Sequence, residues 1–80
     1  MSAHTPRQIA ERLEIAILTS EQMRLHWVDD TDQTHYMTVV LPLSLEEGED
    51  ADYLHCRVLE DNVEIRVRVD LIQNLPAPVK

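Results

Sequence analysis

Eighty residues carrying fifteen acidic against seven basic side chains give a net charge of -8. A field of that sign repels phosphate, which argues against nucleic acid as a direct partner and in favour of a cationic protein surface. Hydrophobic content of 44% excludes a disordered chain, aromatic content of 4% with no Phe leaves Val, Leu and Ile to fill the interior, and a lone cysteine, Cys56, excludes an internal disulfide.

The length suits one domain, 1–80, hiding roughly 60% of the surface that its unfolded chain exposes. Residues 1–5 and 76–80 are expected as flexible tails. The first element is a helix: Thr5 can cap, Pro6 suits the first helical position, and Gln8 stands where a capping box needs it. Ile9, Leu13, Ala16 and Ile17 then form an apolar stripe that packs on a sheet, while Arg7, Glu11, Arg12 and Glu14 take the outer surface.

Met23 to Val28 alternates Met23, Leu25 and Trp27 against Arg24, His26 and Val28, which predicts the first strand with Trp27 as its largest core side chain. Asp29 to Gln33 is a turn. His35 to Leu41 is the second strand, ended or forced to an edge by Pro42, which has no N–H for a ladder. Glu46 to Asp52 is read as an acidic loop containing the only glycine, Gly48.

Tyr53 to Leu59 forms the third strand. Glu60-Asp61-Asn62 turns the chain into the fourth, Val63 to Val69, where Val63, Ile65, Val67 and Val69 share one face and Glu64, Arg66 and Arg68 the other. Leu71 to Leu75 is a possible short fifth strand, and Pro76-Ala77-Pro78 stops regular structure. One helix followed by four or five antiparallel strands, mainly β in class, is best satisfied by a small, strongly bent β-barrel, because closure removes exposed edges.

Two groups of side chains are candidate sites. Glu46, Glu47, Glu49, Asp50 and Asp52, with Tyr53 as an apolar anchor at the edge, are a contact surface for a basic partner. Arg57, Arg66 and Arg68 are the alternative, as anchors for an anion or carboxylate. His26, His35 and His55 fall on strands, but His55 and Cys56 face opposite sides of a regular strand, so no metal site and no cofactor is expected. No nucleophile is visibly paired with a base, so no enzyme is expected. No segment approaches the roughly 20 apolar residues of a membrane span, and the expectation is a cytoplasmic protein.

From Ala16 onward the chain resembles the WYL domain, a small Sm-like barrel found mainly in bacterial transcription regulators. The residues that carry the likeness are Ala16-Ile17, Leu25-His26-Trp27, Leu41-Pro42-Leu43-Ser44-Leu45, Asp52-Tyr53-Leu54 and Val67-Arg68-Val69-Asp70-Leu71-Ile72. Asp52 stands where the family writes Trp, and Leu71 where it writes the last Arg of its terminal motif. The resemblance implies sensing of nucleic acid or a small ligand through a basic patch, here Arg57, Arg66 and Arg68.

The chain is also similar to the Rho-binding antiterminators, stand-alone acidic Sm-like proteins of like length, at Leu13-Glu14-Ile15-Ala16, Tyr53-Leu54 and Glu64 to Ile72. That resemblance implies a module that covers the basic face of an RNA-binding protein. The leading expectation is therefore a regulatory protein-binding module, a monomer or weak homo-oligomer, in bacterial transcription control. The others are a WYL-type sensor and a phage-type acidic inhibitor that mimics nucleic acid.

Overall fold

The computed structural model describes residues 5–79. Helix α1, Pro6–Thr19, starts as the sequence predicts: the Gln8 N–H donates to Thr5 Oγ1 at 3.1 Å, and the Thr5 N–H donates to Gln8 Oε1 at 3.1 Å. These two bonds satisfy backbone donors that the first turn leaves without helical partners. The helix ends where Ser20 turns left-handed (φ 57°) and the Glu21 N–H reaches back to the Ala16 carbonyl at 3.0 Å. Its inward stripe is Ile9, Leu13 and Ala16, all buried, with Ile17 half-buried.

Five strands follow: β1 Met23–Val28, β2 His35–Glu47, β3 Asp52–Val58, β4 Val63–Arg68 and β5 Ala77–Pro78. They form one antiparallel sheet in the order β4-β3-β2-β1-β5. The sheet bends far enough for Arg68, at the end of β4, to reach Asp30 in the β1–β2 turn at 3.2 Å. It does not close, however, and the expected barrel gives way to an open sheet with β4 and β5 at its edges.

The reason lies after β4. Val69–Leu71 coils into one 3₁₀ turn, so the valine row ends there as a strand, and Ile72 makes only an isolated bridge to Trp27. The expected strand from Leu71 to Leu75 is replaced by that bridge and by Asn74, whose amide is bonded to both the His26 N–H and the Arg24 carbonyl. Of the segment expected as a tail, residues 76–79 are described, and they make specific contacts. Pro76 is buried, its carbonyl accepts from Arg12 Nε at 3.3 Å, and Ala77–Pro78 pair with Met23 and Arg24. Of the other expected tail, Thr5 caps the helix and residues 1–4 lie outside the described residues.

Strand β2 also departs from expectation, running through Pro42 to Glu47. Pro42 pairs with Cys56 and Ser44 with His55, so Leu43 is an extra residue and the register slips between Pro42 and Ser44. A bulge is where a ladder can accept a residue without an N–H. It also exchanges the faces of everything after it, because side chains alternate with a period of two. Tyr36, Thr38, Val40 and Pro42 lie on the inner face before the bulge, and Leu45 and Glu47 after it. Glu46 moves to the outer face.

The core joins Ile9 and Leu13 of the helix to Leu25, Val40, Leu54, Cys56, Val67, Val69 and Ile72. Trp27, expected as the largest core side chain, is instead half-buried at the margin of this cluster. No helix among the described residues is long and apolar enough to cross a membrane.

Candidate functional site

The acidic segment is less of a loop than its composition suggests. Glu46 and Glu47 finish β2 and Asp52 begins β3, so Glu46 faces Tyr53 and Glu47 faces Asp52 across a ladder, and only residues 48–51 turn the chain. The Gly48 N–H donates to the Ala51 carbonyl at 3.0 Å, closing the turn. A Cβ on residue 48 would meet that carbonyl oxygen at 2.6 Å and the Tyr53 ring at 3.3 Å, so the turn is built on the absence of a side chain.

Alternation then divides the carboxylates. On the outer face, Glu46 Oε1 accepts from His55 Nε2 at 2.7 Å and lies 3.5 Å from Arg66 Nε. These partners, His55 first and Arg66 second, hold the Glu46 carboxyl below its ordinary range. The Arg66 guanidinium lies 3.8 Å over the Tyr53 ring centroid. Glu46 and Tyr53 are thus engaged within the chain.

On the inner face, Glu47 and Asp52 project past the core towards α1. There they line a cleft of about 670 Å³, which Glu46 also borders, whose opposite wall carries Glu11 and Glu14, over a floor that includes Ala10 and Leu45. Arg7 stands at this cleft and spans 3.6 Å to Glu11. Among the described residues Glu14, Glu47, Glu49, Asp50 and Asp52 make no ion pair. Reasoning from sequence missed Glu11 and Glu14 as members of the site. Their three-residue spacing places them on one helix face, but nothing in the letters says that the hairpin stands opposite.

The three candidate arginines share the outer face of β3 and β4, and each meets a carboxylate. Arg57 is 3.0 Å from Glu64, Arg66 reaches Glu46, and Arg68 is 2.7 Å from Asp70 and 3.2 Å from Asp30. Arg68 makes a two-bond fork to Asp70, which raises its already high pKa. This patch is mixed in sign rather than basic.

His26 and His35 meet on the β1–β2 ribbon, with Nε2 of one 2.9 Å from Nδ1 of the other, whereas His55 is held by Glu46. Among the described residues no group of three or more His, Cys, Asp or Glu is arranged to hold a metal ion. Cys56 is fully buried, and burial pushes its thiol up to about 12.

No family model and no curated protein matches the chain. Among solved structures it is similar to proteasome accessory factor B/C (PafBC) of Arthrobacter aurescens, with a TM-score of 0.81 at 19% sequence identity. The match covers 91% of this chain and 11% of that one, so the chain spans about a tenth of the protein it resembles. The likeness shows the fold alone.

Proposed function

We propose that this chain is a non-enzymatic regulatory module that takes a basic protein surface into the cleft between α1 and the β2–β3 hairpin, in the setting of bacterial transcription control. The observation that carries the reading is the division of charge. The outer arginines already have acidic partners, while in the cleft Arg7 is the one lining base and pairs with Glu11, leaving Glu14, Glu47 and Asp52 without an ion pair among the described residues. A lysine or arginine from a partner relieves that repulsion and gains attraction at long range from a net charge of -8. Cys56, the one thiol, is buried and holds its proton, which supports a binding role over a nucleophilic one.

The transcriptional setting comes from the WYL resemblance in sequence. Rho as the partner gains no support from the structural likeness, and the partner is defined here by its chemistry alone. The full chain immobilised in a bacterial lysate tests the reading: a basic protein should be retained at low salt, released at high salt, and not retained by the Glu14→Gln/Glu47→Gln/Asp52→Asn variant. Retention that ignores both salt and the variant defeats it. The sensor reading rests on Arg66, Arg68 and Tyr53 bordering one small cavity. A single-stranded oligonucleotide that binds the wild type would favour it.

A further inference from the structure

The inner face of the sheet is covered at one end only. Helix α1 lies over the part of β2 after the bulge, from Leu43 to Glu47, and towards the opposite end burial falls away along every strand. On β2 the inner row goes from Val40, fully buried, through Thr38, half-buried, to Tyr36, 42% exposed. On β4 it goes from Val67, buried, through Ile65, half-buried, to Val63, 50% exposed. Leu54 and Cys56 on β3 give way to half-buried Val58, and Leu25 on β1 gives way to half-buried Trp27.

What lies at this uncovered mouth is specific in chemistry. Trp27 and Tyr36 are directly opposite in the β1–β2 ladder, their rings stacked with centroids 5.4 Å apart and planes 21° from parallel. They border a cavity of about 340 Å³ together with Val58 and Ile65, and the β3–β4 turn adds Glu60 and Asp61. Neither acid makes an ion pair among the described residues. Asn62, left-handed at φ 56°, shapes the turn that holds them there.

We propose that this mouth receives an arginine side chain from the basic partner. A planar guanidinium stacks on aromatic faces and pairs with carboxylates, while its methylene stem lies along aliphatic walls. Trp27 with Tyr36, Glu60 with Asp61, and Val58 with Ile65 supply those three surfaces in one cavity. An ammonium on a lysine uses the carboxylates but not the stacking plane, so arginine is preferred over lysine. The proposal rests on the partner being a basic protein and adds a second contact, made by side chains outside the α1 cleft.

Trp27 is the only tryptophan and borders both this cavity and the one beside Tyr53, Arg66 and Arg68, so its fluorescence reports binding at either and the turn variant assigns the response to this one. The full chain is titrated with a capped peptide of alternating arginine and glycine, and with the lysine counterpart. The expected result is a saturable change in Trp27 emission, at least several-fold tighter for the arginine peptide. It should be weakened about tenfold or lost in Glu60→Gln/Asp61→Asn and kept in Glu47→Gln/Asp52→Asn. Tyr36→Ala, checked for folding by circular dichroism, should lose the preference for arginine over lysine. Equal response to both peptides in the wild type, or a response abolished by the cleft variant and untouched by the turn variant, overturns the proposal. Lysate capture with Glu14→Gln/Glu47→Gln/Asp52→Asn tests the α1 cleft, and peptide titration with Glu60→Gln/Asp61→Asn tests this mouth, so failure of one reading is distinguishable from failure of the other.

Discussion

Replacing Gly48 with alanine tests whether the hairpin that sets Glu47 and Asp52 is as tightly built as its geometry implies. The backbone at residue 48 does not have positive φ, so alanine is acceptable there on conformational grounds alone. On that count it stabilises by about 0.4–1 kcal/mol through the unfolded chain. Against this stands a Cβ placed 2.6 Å from the Ala51 carbonyl oxygen, the same atom that accepts the turn-closing bond from the Gly48 N–H. Reaching ordinary contact moves that carbonyl by about 0.8 Å. The move removes most of a hydrogen bond worth about 0.5–1.5 kcal/mol and adds about 1–3 kcal/mol of overpacking strain, at the low end because the turn is exposed.

Steric cost therefore exceeds the entropic gain, and G48A should be less stable than the wild type by about 1–2 kcal/mol, a fall of about 5–15 °C in Tm for a domain of this size. Thermal melts by circular dichroism read the total, and amide chemical shifts of Ala51 to Tyr53 locate the change. An unchanged or raised Tm, with those amides in place, would show that the turn opens freely and that Glu47 and Asp52 are not held at the cleft.

Two further outcomes follow from groups whose titration the fold alters. Glu46 is held below the ordinary carboxyl value of 4.5 by His55 and Arg66, so its contribution to stability is present in full above that value and is lost as pH falls through the lower folded one. Acidification below about pH 4.5 should therefore cost the wild type more stability than Glu46→Gln, and parallel denaturant midpoints for the two proteins across that range refute the assignment. Cys56, buried and pushed to about 12, should resist a disulfide reagent at pH 8 until denaturant exposes it. Labelling of the native protein at the speed of a free peptide thiol would show that β3 does not pack as described.

Where local chemistry decided the structure, the sequence was readable. Thr5 and Gln8 mark a helix start because their side chains complete the first turn without help from the rest of the chain. Met23–Val28 is a strand with the bounds that its alternation predicts. Where distant contacts decided, it was not. The row Val63, Ile65, Val67, Val69 has a flawless period of two, yet Val69 is buried as part of a 3₁₀ turn and Val63 is half exposed. Periodicity reports which residues share a face; it does not report how far the covering layer extends. Trp27 shares the alternation of Met23 and Leu25, yet it is half-buried at the margin of the core. Pro76 reads as a terminator of structure, but tertiary packing places it against the helix, where Arg12 takes its carbonyl.

The candidate site turns on one extra residue. Had β2 continued in register through Pro42, Glu46 would have faced the helix and Glu47 the arginines. The slip at Leu43 reverses this: Glu46 lands opposite Tyr53, within reach of His55 and Arg66, and Glu47 lands opposite Asp52 across from Glu11 and Glu14. A composition of five carboxylates in seven residues is the same for either arrangement, so no count of charge in the segment separates them. The bulge does: it turns Glu46 to the outer-face cations and sets Glu47 beside Asp52 in a cleft where acids outnumber the one base, Arg7. Glu47→Gln should therefore weaken capture of the basic partner more than Glu46→Gln, whose carboxylate borders the cleft but is already engaged by His55 and Arg66, and which should release Arg66.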